Sequence, residues 1–282
     1  MKEFKNKTAV ITGAASGIGF ALAETLAGEG MNLVLADISA SALPKAVATL
    51  ESKGVDCIGV VADVSSEASV QDLAAKAVQR FGNVHIIANN AGVISKPNLT
   101  WEQPVAEWHR NMNVNLWGVI HGIRAFVPHM LEHGEESHVI NVASIGGLIA
   151  EPYLSPYHVS KFAVISTSES LYYELAVTES NIGVSVVCPG FVATNLLRQE
   201  GSEFADTGDD NLGQIAAVFE DGVAEGIAPE KVAEMTLDAI KTNRLHVMTH
   251  DYTNDLLHVR FDAILAGENL PLTDEIKDAF ET

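Results

Sequence analysis

Short apolar runs alternate with amphipathic stretches over the first two thirds of the chain. The runs TAVITG (8–13), NLVLAD (32–37), DCIGVVAD (56–63), VHIIANN (84–90), HVINVAS (138–144) and GVSVVCPG (183–190) are β-branched, and most end in small or polar residues. Such runs predict six strands. HVMTH (246–250) is a candidate seventh. Between them stand helical patterns such as GIGFALAETLAGEG (17–30), closed by glycine at its C-terminal end. Strands that are apolar without a break and separated by helices imply a parallel sheet covered on both faces. The expected class is therefore α/β, a doubly wound parallel sheet of about seven strands. No internal repeat or low-complexity linker divides the chain, so residues 1–282 read as one domain. The segment 195–228 breaks the rhythm: it is glycine-rich and acidic, with a short apolar patch, QIAAVF, and reads as a functional loop or lid. The tail, 251–282, reads as helical and partly amphipathic (NDLLHVRFDAILAG).

Charge narrows the partners. With 37 acids against 17 bases the formal charge is −20, which repels phosphate backbones and anionic lipid. Nine of the acids, against one base (Arg198), fall between Asn195 and Glu230. No run is long and apolar enough to span a bilayer. The N-terminal MKEFKNKTAVITGAASGIGFALA has lysines ahead of an apolar region, but three glycines interrupt it and Glu24 follows, so it reads as a first strand and helix rather than a signal peptide. Two cysteines, Cys57 and Cys188, leave no disulfide framework and suit a reducing cytoplasm. The sequons Asn6-Lys7-Thr8 and Asn98-Leu99-Thr100 read as chance matches.

The stretch TGAASGIG (Thr12 to Gly19) follows the first strand and opens a helix. Gly13, Gly17 and Gly19 let the backbone turn tightly and let a pyrophosphate approach the free N–H groups and positive dipole end of that helix. Asp37 ends the second strand, where an acid accepts hydrogen bonds from the adenosine ribose hydroxyls and repels the 2′-phosphate of NADP. No Arg or Lys stands at Ala14 to Ser16 or Ile38 to Ser41 to take that phosphate, so NAD(H) is favoured over NADP. The competing role for Asp37 is an N-cap of the next helix. Asp63 and Val64 close the third strand and NNAG (Asn89 to Gly92) the fourth, at the edge where ligands bind in such sheets. Asp63 is placed beside the adenine ring, and Asn89 is as well suited to bracing neighbouring strands as to touching a ligand.

TGAASGIG, NNAG, Ser144 after a strand, YHVSK (157–161) and PGFVAT (189–194) occur in the order and spacing of the short-chain dehydrogenase/reductase family, which the chain resembles from about Lys5 to Thr194 and more weakly to about Gly267. The glycine spacing and the three residues between Tyr157 and Lys161 match its short single-domain branch. The resemblance implies a Rossmann-like fold. It also implies a cofactor lying against Gly13, Ser16, Gly17, Ile18, Gly19, Asp37, Ile38, Asp63, Val64, Asn90, Ala91, Gly92, Tyr157, Lys161, Pro189, Gly190, Val192 and Thr194. Pro189, Gly190 and Val192 would flank the nicotinamide, and Thr194 would bond its carboxamide.

A catalytic set of Asn115, Ser144, Tyr157 and Lys161 follows. Free tyrosine titrates near pH 10. An ammonium one helical turn away, with the positive nicotinamide ring, is expected to lower that value and make Tyr157 the acid of ketone reduction and the base of alcohol oxidation. Ser144 can donate to the substrate oxygen. No histidine base or nucleophile elbow accompanies it, which argues against a protease role. Asn115 in NMNVNLWG matches the family position linked to a proton path to the lysine; its bland alternative is an amide at a local helix kink. His158 reads as structural. The pair His129 and His133 has i, i+4 spacing but reads as an exposed helix end, so no metal is expected.

Residues Ile145 to Leu154, Val93 to Pro97, Phe191 and the loop after Thr194 should form the substrate walls, which are mostly apolar, with Lys96 and Arg198 the nearby cations. An uncharged, hydrophobic secondary alcohol or ketone is expected, bulky and aromatic ones included, with residues 200–225 closing over it. The contrasting reading is a catalytically idle cofactor-binding sensor or scaffold. By resemblance the helices at about 108–130 and 155–177 pair across subunits of a homodimer or homotetramer; an apolar stripe equally suits packing on the chain's own sheet.

Overall fold

The structure is a computed structural model and describes residues 1–197, 204 and 210–271; of Asp210 and Asn211 it describes only the backbone. Seven parallel strands form one sheet in the order β3-β2-β1-β4-β5-β6-β7. The strands are β1 (Thr8–Thr12), β2 (Asn32–Asp37), β3 (Cys57–Val61), β4 (Ile86–Asn89), β5 (Ser137–Val142), β6 (Ile182–Cys188) and β7 (His246–Met248). The expected seventh strand is present, and the architecture is the Rossmann-like one. Most strands stop one or two residues short of their apolar runs, because those last residues peel away into the loops at the carboxyl edge.

The unbroken apolar character of β1 follows from its two neighbours. Ala9 and Ile11 face one layer, with Leu22 and Leu26 of α1 (Gly17–Gly28) and Val232, Ala233 and Ile240 of α8 (Pro229–Thr242). Val10 faces the other, with Leu73 of α3 (Glu67–Phe81) and Phe126 and Met130 of α5 (Gly118–His133). A period of two with both faces buried leaves no polar position. The helix α2 (Leu43–Glu51) covers the β2–β3 edge, and α6 (Ser155–Val177) lies against β5 and β6.

Between Asn89 and α6 the sheet carries a polar bridge. Asn89 Nδ2 donates to Asn141 Oδ1, Asn141 Nδ2 donates to Ser168 Oγ (both 2.9 Å), and Ser168 donates to the Val164 carbonyl at 2.7 Å. Asn89 is therefore a brace inside the sheet. A Cβ at Gly122 would overlap its amide, so α5 needs a glycine there.

The chain from Val105 to His133 is not one regular helix. After α4 (Val105–Asn111) it widens into a π-helical turn, Met112–Trp117, before α5 begins. The segment expected to be irregular, 195–228, contains a 15-residue helix, α7 (Asp210–Ala224); the rest of the proposed lid, 198–203 and 205–209, lies outside the described residues. The tail is helical as α9 (Thr253–Ala266), and residues 272–282 also lie outside them. Among the described residues no helix is long and apolar enough to cross a membrane.

His138, in β5, is fully buried; Nε2 donates to Ser185 Oγ at 2.9 Å, which itself donates to the Arg244 carbonyl, while Nδ1 has no partner among the described residues. Burial, with the N-terminal ammonium adding to it, pulls its pKa from 6.5 to about 3. The unfolded chain takes up this proton below its ordinary value and the folded chain resists it. The stability that a neutral His138 contributes is thus complete above pH 6.5 and lost as pH falls toward 3. Urea unfolding followed from about pH 6 to about pH 4 should show up to about 1.4 kcal/mol lost per pH unit to this ring. His138→Gln should flatten the slope by the same amount, and an unchanged slope would place the acid sensitivity elsewhere.

Candidate active site

Strand order reverses direction between β1 and β4, and their carboxyl ends open a crevice. The Thr12 hydroxyl donates to the Ala88 carbonyl (3.2 Å) and accepts the N–H groups of Asn90 (2.9 Å) and Ala91 (3.1 Å). Asn90 Nδ2 donates to the carbonyls of Thr12 (2.9 Å) and Gly13 (3.2 Å), so this side chain supports the glycine turn from below. Gly13 has φ +63°, which a side chain would strain, and a Cβ at Gly19 would overlap the Gly13 carbonyl. Ser16 occupies the N-cap of α1 without a side-chain capping bond, and no acid lies in the first turn. That leaves an uncompensated positive helix end with free N–H groups, which fits a pyrophosphate.

Asp37 accepts the Ala15 N–H at Oδ2 (3.0 Å) and the Ser39 N–H at Oδ1 (2.9 Å). It does not cap α2, whose N-cap is Ala42. The carboxylate thus ties the glycine turn to β2, and each oxygen keeps a lone pair for a ribose hydroxyl. Exposed Ile38 lies beyond it, and Asp63 accepts the N–H and hydroxyl of Ser65. Val64 is less available than expected: its side chain packs against Gly118, and its carbonyl accepts from His121 Nδ1 at 2.9 Å.

Tyr157, Lys161 and Ser144 meet at the other end of the crevice, all at most 9% exposed. The i, i+4 spacing on α6 puts Lys161 Nζ 5.8 Å from the Tyr157 ring centroid. Nζ donates to the Val142 carbonyl at 2.9 Å, which leaves two ammonium protons for ribose hydroxyls. Ser144 Oγ accepts the Gly146 N–H (3.0 Å), donates to the Pro189 carbonyl (3.3 Å) and lies in hydrogen-bonding contact with the Tyr157 phenol. Burial pushes that phenol up to about 12, the Ser144 bond opposing the rise and the charges of Cys188 and Glu151 adding to it. Burial likewise pulls the Lys161 ammonium down to about 8. The lowering expected from the lysine together with a bound nicotinamide ring is thus not a property of the chain alone, where burial dominates.

Asn115 sits in the π-helical turn and clasps Val93 as a peptide would: Oδ1 accepts its N–H (2.8 Å), and Nδ2 donates to its carbonyl and to Ser160 Oγ (both 2.9 Å). A Cβ on Gly92 would lie 3.3 Å from Asn115 Oδ1 and 3.4 Å from Lys161 Nζ, so this backbone passes directly beside the lysine.

The turn after β6 is held on three sides. The Pro189 carbonyl accepts the Ile145 N–H (2.8 Å), the Gly190 N–H donates to His250 Nδ1 (3.2 Å), and Val192 pairs with Ile227 in an isolated bridge. That bridge is reinforced by Ala193 N–H to Ile227 carbonyl (3.0 Å) and Ile227 N–H to Phe191 carbonyl (3.1 Å). Thr194 stands beside Gly17. Over the site, Ile94, Leu154 and Tyr157 pack with Leu197, Phe204 and Ala216 in one apolar cluster. A cavity of about 340 Å3 shares Gly17 and Thr194 with the crevice and is otherwise lined by α1, α7, α8 and the neighbouring Ala193, Asn195 and Leu197. Ser144, Tyr157 and Lys161 do not line it.

Several contributors had escaped the sequence reading. Thr12 lies inside an apolar run. Gln103 Nε2 joins segments 93–97 and 145–154 by donating to the carbonyls of Lys96 (2.9 Å) and Tyr153 (3.0 Å). His250 and Tyr252 reach the Gly190 turn from beyond β7, with no local pattern to announce them. His129 and His133 bond the backbone of Val84, and no group of three or more His, Cys, Asp or Glu among the described residues is arranged to hold a metal.

The profile of the short chain dehydrogenase family matches residues 7–204. A CLA biosynthesis dehydrogenase/reductase of Lactiplantibacillus plantarum is 34% identical over 275 residues, covering 94% of this chain and 95% of its own. A 1-deoxy-11-beta-hydroxypentalenate dehydrogenase of Streptomyces avermitilis is 35% identical, covering 86% and 84%. Among solved structures, a short chain dehydrogenase/reductase from Burkholderia phymatum in complex with NAD superposes with a TM-score of 0.91 at 38% identity, over 97% of this chain and 100% of that one. The chain belongs to the short-chain dehydrogenase/reductase family of oxidoreductases.

Proposed function

We propose that the chain is an NAD(H)-dependent dehydrogenase/reductase that interconverts a secondary alcohol and a ketone. The observation that carries this reading is the meeting of Tyr157, Ser144 and Lys161 at the crevice between β1 and β4. Bound nicotinamide supplies or accepts the hydride. The Tyr157 phenol gives its proton to the ketone oxygen in reduction and takes it back in oxidation, while the Ser144 hydroxyl holds that oxygen. Lys161 orients the ribose hydroxyls and favours the phenolate. Asn115 keeps the Gly92–Val93 backbone in place beside Lys161. The walls suit an uncharged, largely hydrophobic substrate. Exposed Trp117 and Leu131, with Val159, Tyr173 and Val177 on α6, support a homo-oligomer built on these helices.

Three measurements test the reading. At matched concentrations NADH should raise the melting temperature and NADPH should not, since only the native state binds and Asp37 opposes a 2′-phosphate. A shift with NADPH alone would overturn the role of Asp37. Tyr157→Phe should lower turnover of secondary alcohols by about 10²–10⁴-fold while leaving the NADH shift in place. Because the phenol holds its proton firmly, alcohol oxidation by the unsubstituted chain should rise with pH above neutrality, and persistence of turnover in the Phe variant would remove Tyr157 from the chemistry.

A further inference from the structure

Residues 145–154 run from Ser144 to the start of α6, and their course is fixed at both ends. Near the start, His158 is buried with both ring nitrogens engaged: Nδ1 donates to the Gly146 carbonyl (2.8 Å), and Nε2 accepts the Glu151 N–H (3.2 Å). At the far end Tyr153 adopts φ +70°, a conformation that costs a non-glycine residue free energy, and its carbonyl accepts from Asn98 N–H and Gln103 Nε2. Glu151 stands between these anchors, one ring away from the candidate acid.

Its carboxylate is open to solvent, and no described residue gives it a hydrogen bond or an ion pair. Its charge reaches the hydroxyls of both Tyr157 and Tyr252, and Tyr252 lies against Gly190. It is also close enough to surrounding protein for desolvation to raise its own pKa, as for a group set in a concave wall. The cations nearby are already committed. Lys161 donates to Val142, Arg110 donates to the Ile94 carbonyl and pairs with Glu107, and Lys96 is engaged; Arg198 lies outside the described residues.

We propose that Glu151, held by His158 and Tyr153, selects the substrate by charge: the site accepts neutral or cationic secondary alcohols and ketones and turns away those with a carboxylate within a few bonds of the reacting carbon. A hydroxyl or ammonium on the substrate would find in Glu151 an unused acceptor, whereas a second carboxylate would meet a like charge where water is partly excluded. The inference rests on the reading of Tyr157 as the acid and base of the reaction.

The test uses two ligands that differ by one charge, 3-hydroxy-3-phenylpropanoate and its methyl ester. With NAD and the unsubstituted chain, kcat/KM for the ester should exceed that for the acid by roughly 30-fold, the scale of a like-charge contact of several ångströms at the effective dielectric of a protein surface. Glu151→Gln keeps the shape, removes the charge, and should shrink that ratio by about tenfold. The same pair is titrated into NADH-loaded Tyr157→Phe protein, with and without Glu151→Gln, and read as a shift in melting temperature. Equal values for acid and ester, or a ratio that Glu151→Gln leaves unchanged, would overturn the proposal. If neither alcohol is oxidised, the Tyr157 reading fails by itself, and the difference between the two melting shifts still decides for or against Glu151.

Discussion

The ladder between β1 and β4 ends at the pair Ile11 and Ala88, and from there the Thr12 hydroxyl holds the two strands together. One oxygen donates once and accepts twice, the full capacity of a hydroxyl. This bond set lets β1 and β4 part at a fixed angle, so that one becomes the glycine turn and the other the Asn90–Gly92 backbone. Asn90 then reaches back under the turn, and Asn115 fixes the next residue, Val93. The crevice is thus a gap between two strands whose separation is set by side-chain bonds after the main-chain bonds stop. What the family's chemistry needs, a backbone that admits a dinucleotide and ends beside a lysine, follows from that geometry.

The proton chemistry is set by a tension between solvation and charge. Burial excludes water from the Tyr157 phenol and the Lys161 ammonium, and disfavours the charged form of each. The apolar cover of Leu197, Phe204 and Ala216 deepens that exclusion. The Ser144 hydroxyl works in the other direction by giving the phenol a polar neighbour. The protein thereby holds a firm proton at the site, which suits the role of acid, and the phenolate requires further positive charge beside it.

Much of this was legible from local patterns. The strands declared themselves because both faces of β1, β4 and β5 are buried and leave no solvent-facing position, and the glycine turn because its spacing sits between a strand and a helix. The helix α7 was missed although Ile215, Ala216, Phe219 and Val223 follow a helical spacing, because the acids and glycines around them read as a loop. The π-helical turn at Met112–Trp117 could not be read from spacing, since the amide that sits within it, Asn115, bonds a residue 22 positions earlier. Tyr252 and His250 were illegible for the same reason: their significance lies in touching a turn some 60 positions away. A sequence shows the charge beside Tyr157 but not the depth at which both groups are buried, so the rise that burial imposes on the phenol of the chain alone was not legible.

The paired bonds between Phe191–Ala193 and Ile227 fasten the chain at the root of everything that passes over the substrate side. The chain is thus brought back onto Phe191–Ala193 at Ile227, and loop closure depends only weakly on how many residues lie between such ends. A change of length between these ends leaves the turn after β6 anchored, whereas an exchange at Leu197, Phe204 or Ala216 changes the apolar cover over Tyr157. The seam at Phe191–Ala193 and Ile227 accordingly offers a natural place to graft the corresponding stretch of one relative onto the body of another.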